Sequence, residues 1–240
     1  MNKEKYTIDD LLVIMKKLRS DTGCAWDRVQ THDSIKSSMI EESYEVIDAI
    51  DKADDKMMAN ELGDLLLQIV FHSEIASERG KFDFSDVTDE ISRKLISRHS
   101  HVFGSDSAGD AEQVLDLWDK NKKEEKGFLS ATDTLKDVPE SFASLMRAQK
   151  VLKRAKKSGM EFSPDFGNGE DILNSIIECA SDMKKDLANG ADGEEGLKKI
   201  LLLNAALGMV MGKECEILLK KSVDEFIEKF EVLEQVAQQK

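Results

Sequence analysis

The stretch that decides the fold reads IEESYEVIDAI over residues 40–50 and continues, after a short polar interruption, as NELGDLLLQIVFH over residues 60–72. In both segments apolar and acidic residues recur every three or four positions, which predicts two neighbouring amphipathic helices. Because an α-helix turns about 100° per residue, the acids of each segment share one face. Five carboxylates are therefore expected to form one acidic site: Glu41, Glu42, Glu45, Glu61 and Asp64.

Such a cluster of like charges beside an apolar stripe costs stability unless something neutralises it. A hard divalent cation does so, since Mg²⁺ binds carboxylate oxygens and completes its shell with waters and substrate phosphates. The alternative is a solvated acidic face, because 48 of the 240 residues are acidic. The acids flank apolar positions such as Ile40, Val46 and Leu65, and this placement favours the metal site.

The composition excludes several classes of protein. A net charge of −14 argues against nucleic-acid binding through bulk electrostatics, and no apolar run is long enough for a transmembrane span. The opening residues MNKEKYTIDD lack a hydrophobic signal region, so we expect a cytoplasmic protein without membrane attachment. Cys24, Cys179 and Cys215 match no metal-ligand or disulfide spacing and are expected to be small core residues.

Helical periodicity recurs along the whole chain and strand-like alternation is nearly absent, so the predicted fold class is all-α. Predicted helices cover residues 8–19, 34–52, 55–79, 86–99, 110–126, 139–157, 169–189, 194–211 and 213–238. The similar order and length of helices in the two halves indicate tandem helical-bundle repeats. We therefore predict a first domain at 1–126, a polar linker at 127–138 and a second repeat at 139–240.

The second repeat has lost most of the acidic pattern. EESYE in the first half corresponds to NSIIE at residues 174–178, and ELGD corresponds to GLKK at residues 196–199. Two acids have thus become Gly196 and Lys199, and a lysine inside the site would repel a metal ion. We expect the second repeat to be degenerate, with a structural or dimerisation role.

Four further segments accompany the acidic motifs: LLVIMKKLRSDTGCAWDRVQTH (11–32), GKFDF (80–84), KLISRHSHVFG (94–104) and SLMRAQK (144–150). In this order and spacing the chain resembles the MazG-type nucleoside triphosphate pyrophosphohydrolases of the all-α NTP pyrophosphatase superfamily. EExxE followed by ExxD defines that superfamily. The resemblance implies Mg²⁺-dependent cleavage between the α- and β-phosphates of nucleoside triphosphates, which yields a nucleoside monophosphate and diphosphate and clears abnormal or surplus nucleotides.

The resemblance also implies roles for individual residues. Glu42, Glu45, Glu61 and Asp64 would bind the metal, and these four form the implied ligand set. Glu41 would be either an outer ligand or the base that orients water. Lys94 and Arg98, one helical turn apart, would bind phosphate, although cations at a helix end also stabilise the helix dipole.

Three further expectations concern the oligomeric state, the role of Trp26 and the class of protein. Broad apolar faces at residues 65–70 and 200–203 exceed what a small bundle can cover, so we expect a homodimer. Trp26 would either stack on a nucleobase or anchor packing after a tight turn. The alternative to an enzyme is a non-catalytic regulatory or scaffold protein that binds nucleotide or a protein partner through its helical faces.

Overall fold

The computed structural model describes residues 3–159 and 166–238, and the regular structure in these ranges is helical. The helices are α1 (Ile8–Arg19), α2 (Ala25–Val29), α3 (His32–Asp51), α4 (Asp55–Glu78), α5 (Phe84–Arg98), α6 (Ser100–Phe103), α7 (Ala111–Lys126), α8 (Ala131–Lys136), α9 (Ser144–Lys157), α10 (Gly169–Ala188), α11 (Glu194–Val210) and α12 (Cys215–Gln238). The predicted all-α class is confirmed. Within the described ranges, none of these helices combines the length and hydrophobicity needed to cross a membrane.

The chain divides into two compact units, Met1–Asn121 and Lys122–Lys240, with the division inside α7. The core of the first unit joins α1, α3 and α4 through five buried side chains: Met15, Ile35, Val70, Phe71 and Ile75. The core of the second unit joins α9, α10 and α11 through another five: Leu152, Ile172, Leu203, Ala205 and Ala206. Each unit therefore buries its own apolar cluster, while the relation of the two units by an internal repeat stays a prediction.

A tight turn makes α3 and α4 an antiparallel hairpin. Thr31 caps the start of α3 by accepting a hydrogen bond from the Ser34 N–H, and Asp54 caps α4 by accepting from Lys56 and Met57. Between the two helices Ala53 adopts the left-handed conformation, with φ 51°. This turn reverses the chain within three residues, so the acidic segment of α3 lies beside that of α4.

The end of α4 agrees with the sequence-based expectation. The helix stops at Glu78, and Gly80 follows with φ 63°, a conformation that favours glycine because it has no Cβ. The Gly80 N–H donates to the Ser77 carbonyl, which closes the last turn. The chain then enters α5, whose Phe84 packs against the first core.

Three local expectations were wrong. The short helix α2, Ala25–Val29, lies between the first two predicted helices, where no helix was expected. Pro139 does not open a helix, because residues 139–143 form a turn closed by the Phe142 N–H bonding the Pro139 carbonyl, and α9 begins at Ser144. The stretch 127–138, expected as a polar linker, contains α8 and buries Thr134 and Val138.

Candidate active site

The carboxylates of the predicted acidic site come from both arms of the α3–α4 hairpin. Glu42 and Glu45 lie three residues apart on one face of α3, and Glu61 lies opposite them on α4. One carboxylate oxygen of each of these three residues lies within 4.8 Å of the other two. Among the described residues, this is the one group of three His, Cys, Asp or Glu side chains with potential ligand atoms so close together.

Asp64 lies one helical turn after Glu61, and the side-chain amide of Asn60 hydrogen-bonds to both carboxylates. The Asn60 Nδ2 donates to Glu61 Oε1 at 3.4 Å and to Asp64 Oδ2 at 3.3 Å. Asn60 was not among the predicted site residues, although it lies four residues before Asp64 and therefore on the same face of α4. Asn60 therefore orients two carboxylates of the cluster relative to one another.

Electrostatic crowding is visible in the ionisation of the α3 carboxylates. Partial burial raises the pKa of Glu42, and the charges of Asp64, Glu61 and Glu41 raise it further. The pKa of Glu45 is raised first by a hydrogen bond with Glu61 and then by the charges around it. All these effects act in the same direction, because burial, the hydrogen bond between the carboxyl groups and the neighbouring negative charges each favour the protonated form.

The donor set fits a hard divalent cation. Glu42 and Glu61 are half-buried and Glu45 is exposed, so the oxygens are held by two rigid helices yet remain open to solvent. Mg²⁺ accepts a few carboxylate ligands and keeps several waters, which an open site allows. Bound at this position, a cation would also relieve the repulsion that raises the two pKa values.

Glu41 lies next to this group without belonging to the set of three. Its side chain is exposed on α3, and its charge contributes to the raised pKa of Glu42. The carboxylate is therefore near enough to influence the cluster electrostatically while it remains in contact with water.

Lys94 and Arg98 lie one turn apart on α5. The Lys94 ammonium pairs with the Glu90 carboxylate of the same helix at 2.9 Å. The Arg98 guanidinium lies over the ring of Trp118 from α7, 5.3 Å from its centroid. The structure therefore brings the carboxylates of α3 and α4 together, whereas it places the two cations beside Glu90 and Trp118.

Three aromatic side chains lie outside the carboxylate cluster. Trp26 is 63% exposed, so it is not the packing anchor that its position after a turn suggested. His72 is half-buried and its Nδ1 lies 2.8 Å from that of His32, as expected for a hydrogen-bonded rather than a metal-binding histidine. The ring of Trp118 contacts the Arg98 guanidinium.

In the second unit, α10 and α11 are the helices that the predicted repeat relates to α3 and α4. Gly196 stands where the motif alignment places the counterpart of Glu61, and a Cβ there would lie 2.9 to 3.1 Å from the Met183 side chain. The Cys179 thiol also donates to the Gly196 carbonyl at 3.5 Å. The Met183 side chain therefore occupies the space that the Cβ of a larger residue at position 196 would need.

Comparisons with a family model and with known proteins all match nucleotide pyrophosphohydrolases. Residues 30–103 match the model of the MazG nucleotide pyrophosphohydrolase domain. The chain is 37% identical over 230 residues to the nucleoside triphosphate pyrophosphohydrolase of Escherichia coli K12, covering 95% of this chain and 88% of that protein. It is 36% identical over 236 residues to the nucleoside triphosphate pyrophosphohydrolase/pyrophosphatase MazG of Thermotoga maritima, covering 98% of this chain and 89% of the relative.

Proposed function

Because the chain belongs to the MazG family of nucleotide pyrophosphohydrolases, we propose that it hydrolyses nucleoside triphosphates to nucleoside monophosphates and diphosphate. The observation that carries this proposal is the convergence of Glu42, Glu45 and Glu61 within 4.8 Å at the position of the family's acidic motif. Relatives that bear the name of this activity cover nearly the whole chain, which extends the support beyond the matched domain.

The cation we propose is Mg²⁺, held by Glu42, Glu45, Glu61 and Asp64, with Asn60 orienting the last two. Bound Mg²⁺ would supply positive charge to the phosphate oxygens and lower the pKa of a nearby water molecule. The crowding of carboxylates supports this assignment, because a bound cation would reduce the mutual repulsion that contributes to the raised pKa values of Glu42 and Glu45.

The remaining side chains would handle the proton and the leaving group. In the reaction the oxygen of water bonds to the α-phosphorus, and the bond from that phosphorus to the bridging oxygen of the β-phosphate breaks. Glu41, which is exposed on α3, would accept the proton that water releases. Lys94 and Arg98 would bind the phosphate chain and stabilise the charge on departing diphosphate.

We further propose that the active species is a homodimer with one hydrolytic site per chain. No described residue of α5 is buried, and its apolar side chains Ile91, Leu95 and Ile96 are exposed in the single chain. A second copy would cover such a face and bring its own helices to the site.

The occupied space around Gly196 supports the absence of hydrolysis by the second unit. The role would be to clear abnormal or surplus nucleotides in the cytoplasm.

Diphosphate release from a panel of standard and modified ribo- and deoxyribonucleoside triphosphates tests this proposal. The wild type should release diphosphate with Mg²⁺ and stop with EDTA, whereas Glu61→Gln should lose at least about a hundredfold in rate, since it removes a carboxylate ligand. Glu231→Gln, which removes one exposed charge from α12, is the matched control and should retain the wild-type rate.

The same panel separates the enzyme from a regulatory or scaffold protein. A scaffold would show ligand-dependent thermal stabilisation without diphosphate release from any substrate. Full activity in Glu61→Gln would instead overturn the site while leaving the activity intact.

A further inference from the structure

We propose that Gln68 is a further residue of the cation site, where its side-chain oxygen accepts a hydrogen bond from a water molecule bound to the cation. This inference rests on the proposed function, because it takes the carboxylates of α3 and α4 as the ligands of that cation. It adds a neutral side chain that lies outside the EExxE and ExxD motifs.

The first observation is a buried acceptor without a partner. Gln68 is 8% exposed, and its Oε1 is buried and has no hydrogen-bond partner among the described residues. A buried polar atom that stays unpaired destabilises the fold, because it has lost its hydrogen bonds with water. We therefore expect this oxygen to gain its partner when a ligand binds.

The second observation is the position of this side chain on α4. Gln68 follows Asp64 by four residues, and helical side chains lean toward the N-terminus of their helix, so its amide extends toward the turn that carries Asp64. One turn further along α4, Phe71 belongs to the apolar core of the unit. Gln68 therefore lies at the boundary between the carboxylates and the core.

The third observation comes from the second unit, where the acidic pattern is lost. The motif alignment that relates Glu61 to Gly196 places Leu203 at the position of Gln68. Leu203 is 0% exposed and belongs to the core of its own unit. An apolar residue thus occupies this position in the helix that lacks the acids, which indicates that the helical packing itself does not require glutamine.

The chemistry of the proposed ligands selects the partner. An ionised phosphate chain offers hydrogen-bond acceptors, so it does not satisfy the oxygen of Gln68. Mg²⁺ keeps several waters when carboxylates bind it, and each of these waters has hydrogens to donate. The terminal torsion of a glutamine is soft and part of this residue is exposed, so its oxygen can turn toward such a water. Contacts of this kind orient the ligands of a metal and raise its affinity.

Binding of Mn²⁺ to the whole metal-stripped chain, followed by electron paramagnetic resonance, tests the proposal with Gln68→Met. Mn²⁺ is a hard cation that takes the same oxygen ligands as Mg²⁺. Methionine keeps the length of the side chain and removes the acceptor, so the affinity for Mn²⁺ should fall by about ten- to hundredfold. Gln235→Met makes the same change at an exposed position of α12 and should bind Mn²⁺ as the wild type does.

Thermal unfolding in EDTA separates this role from a purely structural one. Gln68→Met should melt at or above the temperature of the wild type, because it removes a buried acceptor that has no partner without the cation. A lower melting temperature would show that the amide stabilises the fold, and that result would overturn the proposal.

The remaining outcomes separate the inference from the proposed function. Equal Mn²⁺ affinity in Gln68→Met and the wild type, together with diphosphate release by the wild type, would overturn the role of Gln68 and leave the function standing. A loss of affinity for nucleoside monophosphate alone would assign the oxygen to the nucleoside and overturn the proposal as well. Absence of both Mn²⁺ binding and diphosphate release in the wild type would refute the proposed function, and the inference with it.

Discussion

The imidazole rings of His32 and His72 lie stacked at an interplanar angle of 6°, with their Nδ1 atoms 2.8 Å apart. A hydrogen bond between two ring nitrogens requires one to donate and the other to accept, so at least one ring must be neutral. The pair joins the first residue of α3 to the last third of α4. The stability of the hairpin that carries the carboxylates therefore depends on the protonation state of this histidine pair.

We expect this pair to make the stability of the fold fall in mild acid. Burial and the charge of His32 lower the pKa of His72, so the unfolded chain takes up that proton more readily than the folded one. The stabilisation is therefore complete above the unfolded histidine pKa of about 6.5 and is lost as pH falls below it. Urea unfolding of His72→Gln should show a shallower loss of free energy on acidification, and an unchanged slope would contradict the assignment.

Removing a carboxylate from the cluster should stabilise the protein when no metal is present. The pKa of Glu45 is raised in the folded state, so its contribution to stability is present at low pH and is lost as pH rises through that pKa. At neutral pH in EDTA, Glu45→Gln should melt at a higher temperature than the wild type. Addition of Mg²⁺ should raise the melting temperature of the wild type more than that of Glu45→Gln. An equal rise in both proteins would exclude Glu45 as a ligand.

The stability of the second unit should depend strongly on the side chain of Gln149. Its buried amide donates to the Lys213 carbonyl at 2.7 Å and accepts from the Cys215 N–H at 2.9 Å, which ties α9 to the start of α12. Gln149→Leu leaves both backbone groups without these bonds and should cost about 2 to 4 kcal/mol of unfolding free energy in urea. Lys153→Ala, exposed on the same helix, should stay within about 0.5 kcal/mol of the wild type.

Two helical glycines should respond oppositely to alanine. A Cβ at Gly196 would meet Met183 at 2.9 Å, so Gly196→Ala should destabilise the protein by about 1 to 3 kcal/mol through overpacking. A Cβ at Gly63 would meet no atom within 4 Å, so Gly63→Ala should stabilise it by about 0.4 to 1 kcal/mol. Thermal or urea unfolding compares them directly, and a stabilising Gly196→Ala would show that Met183 yields without cost.

Much of the helical layout could be predicted because its signals are local. Periodicity predicted helices at residues 8–19 and 55–79, and the structure has α1 at Ile8–Arg19 and α4 at Asp55–Glu78. One of the errors concerns residues 127–138, where several polar residues in succession concealed a short packed helix. Ser130 and Asp133 form a capping box that starts α8, but burial of Thr134 and Val138 depends on α9 and could not be inferred from composition.

The sequence by itself determined the all-α class, the family, and the helix faces on which the carboxylates lie, because 3.6-residue periodicity is a property of neighbouring residues. Only the tertiary structure decided that the oxygens of Glu42, Glu45 and Glu61 converge within 4.8 Å, since this distance depends on the turn at Ala53 and the register of α3 against α4. The contact of Trp118 with Arg98 likewise joins residues from two helices that no local pattern relates. Spacing along a helix specifies direction, whereas distance between helices is set by their packing.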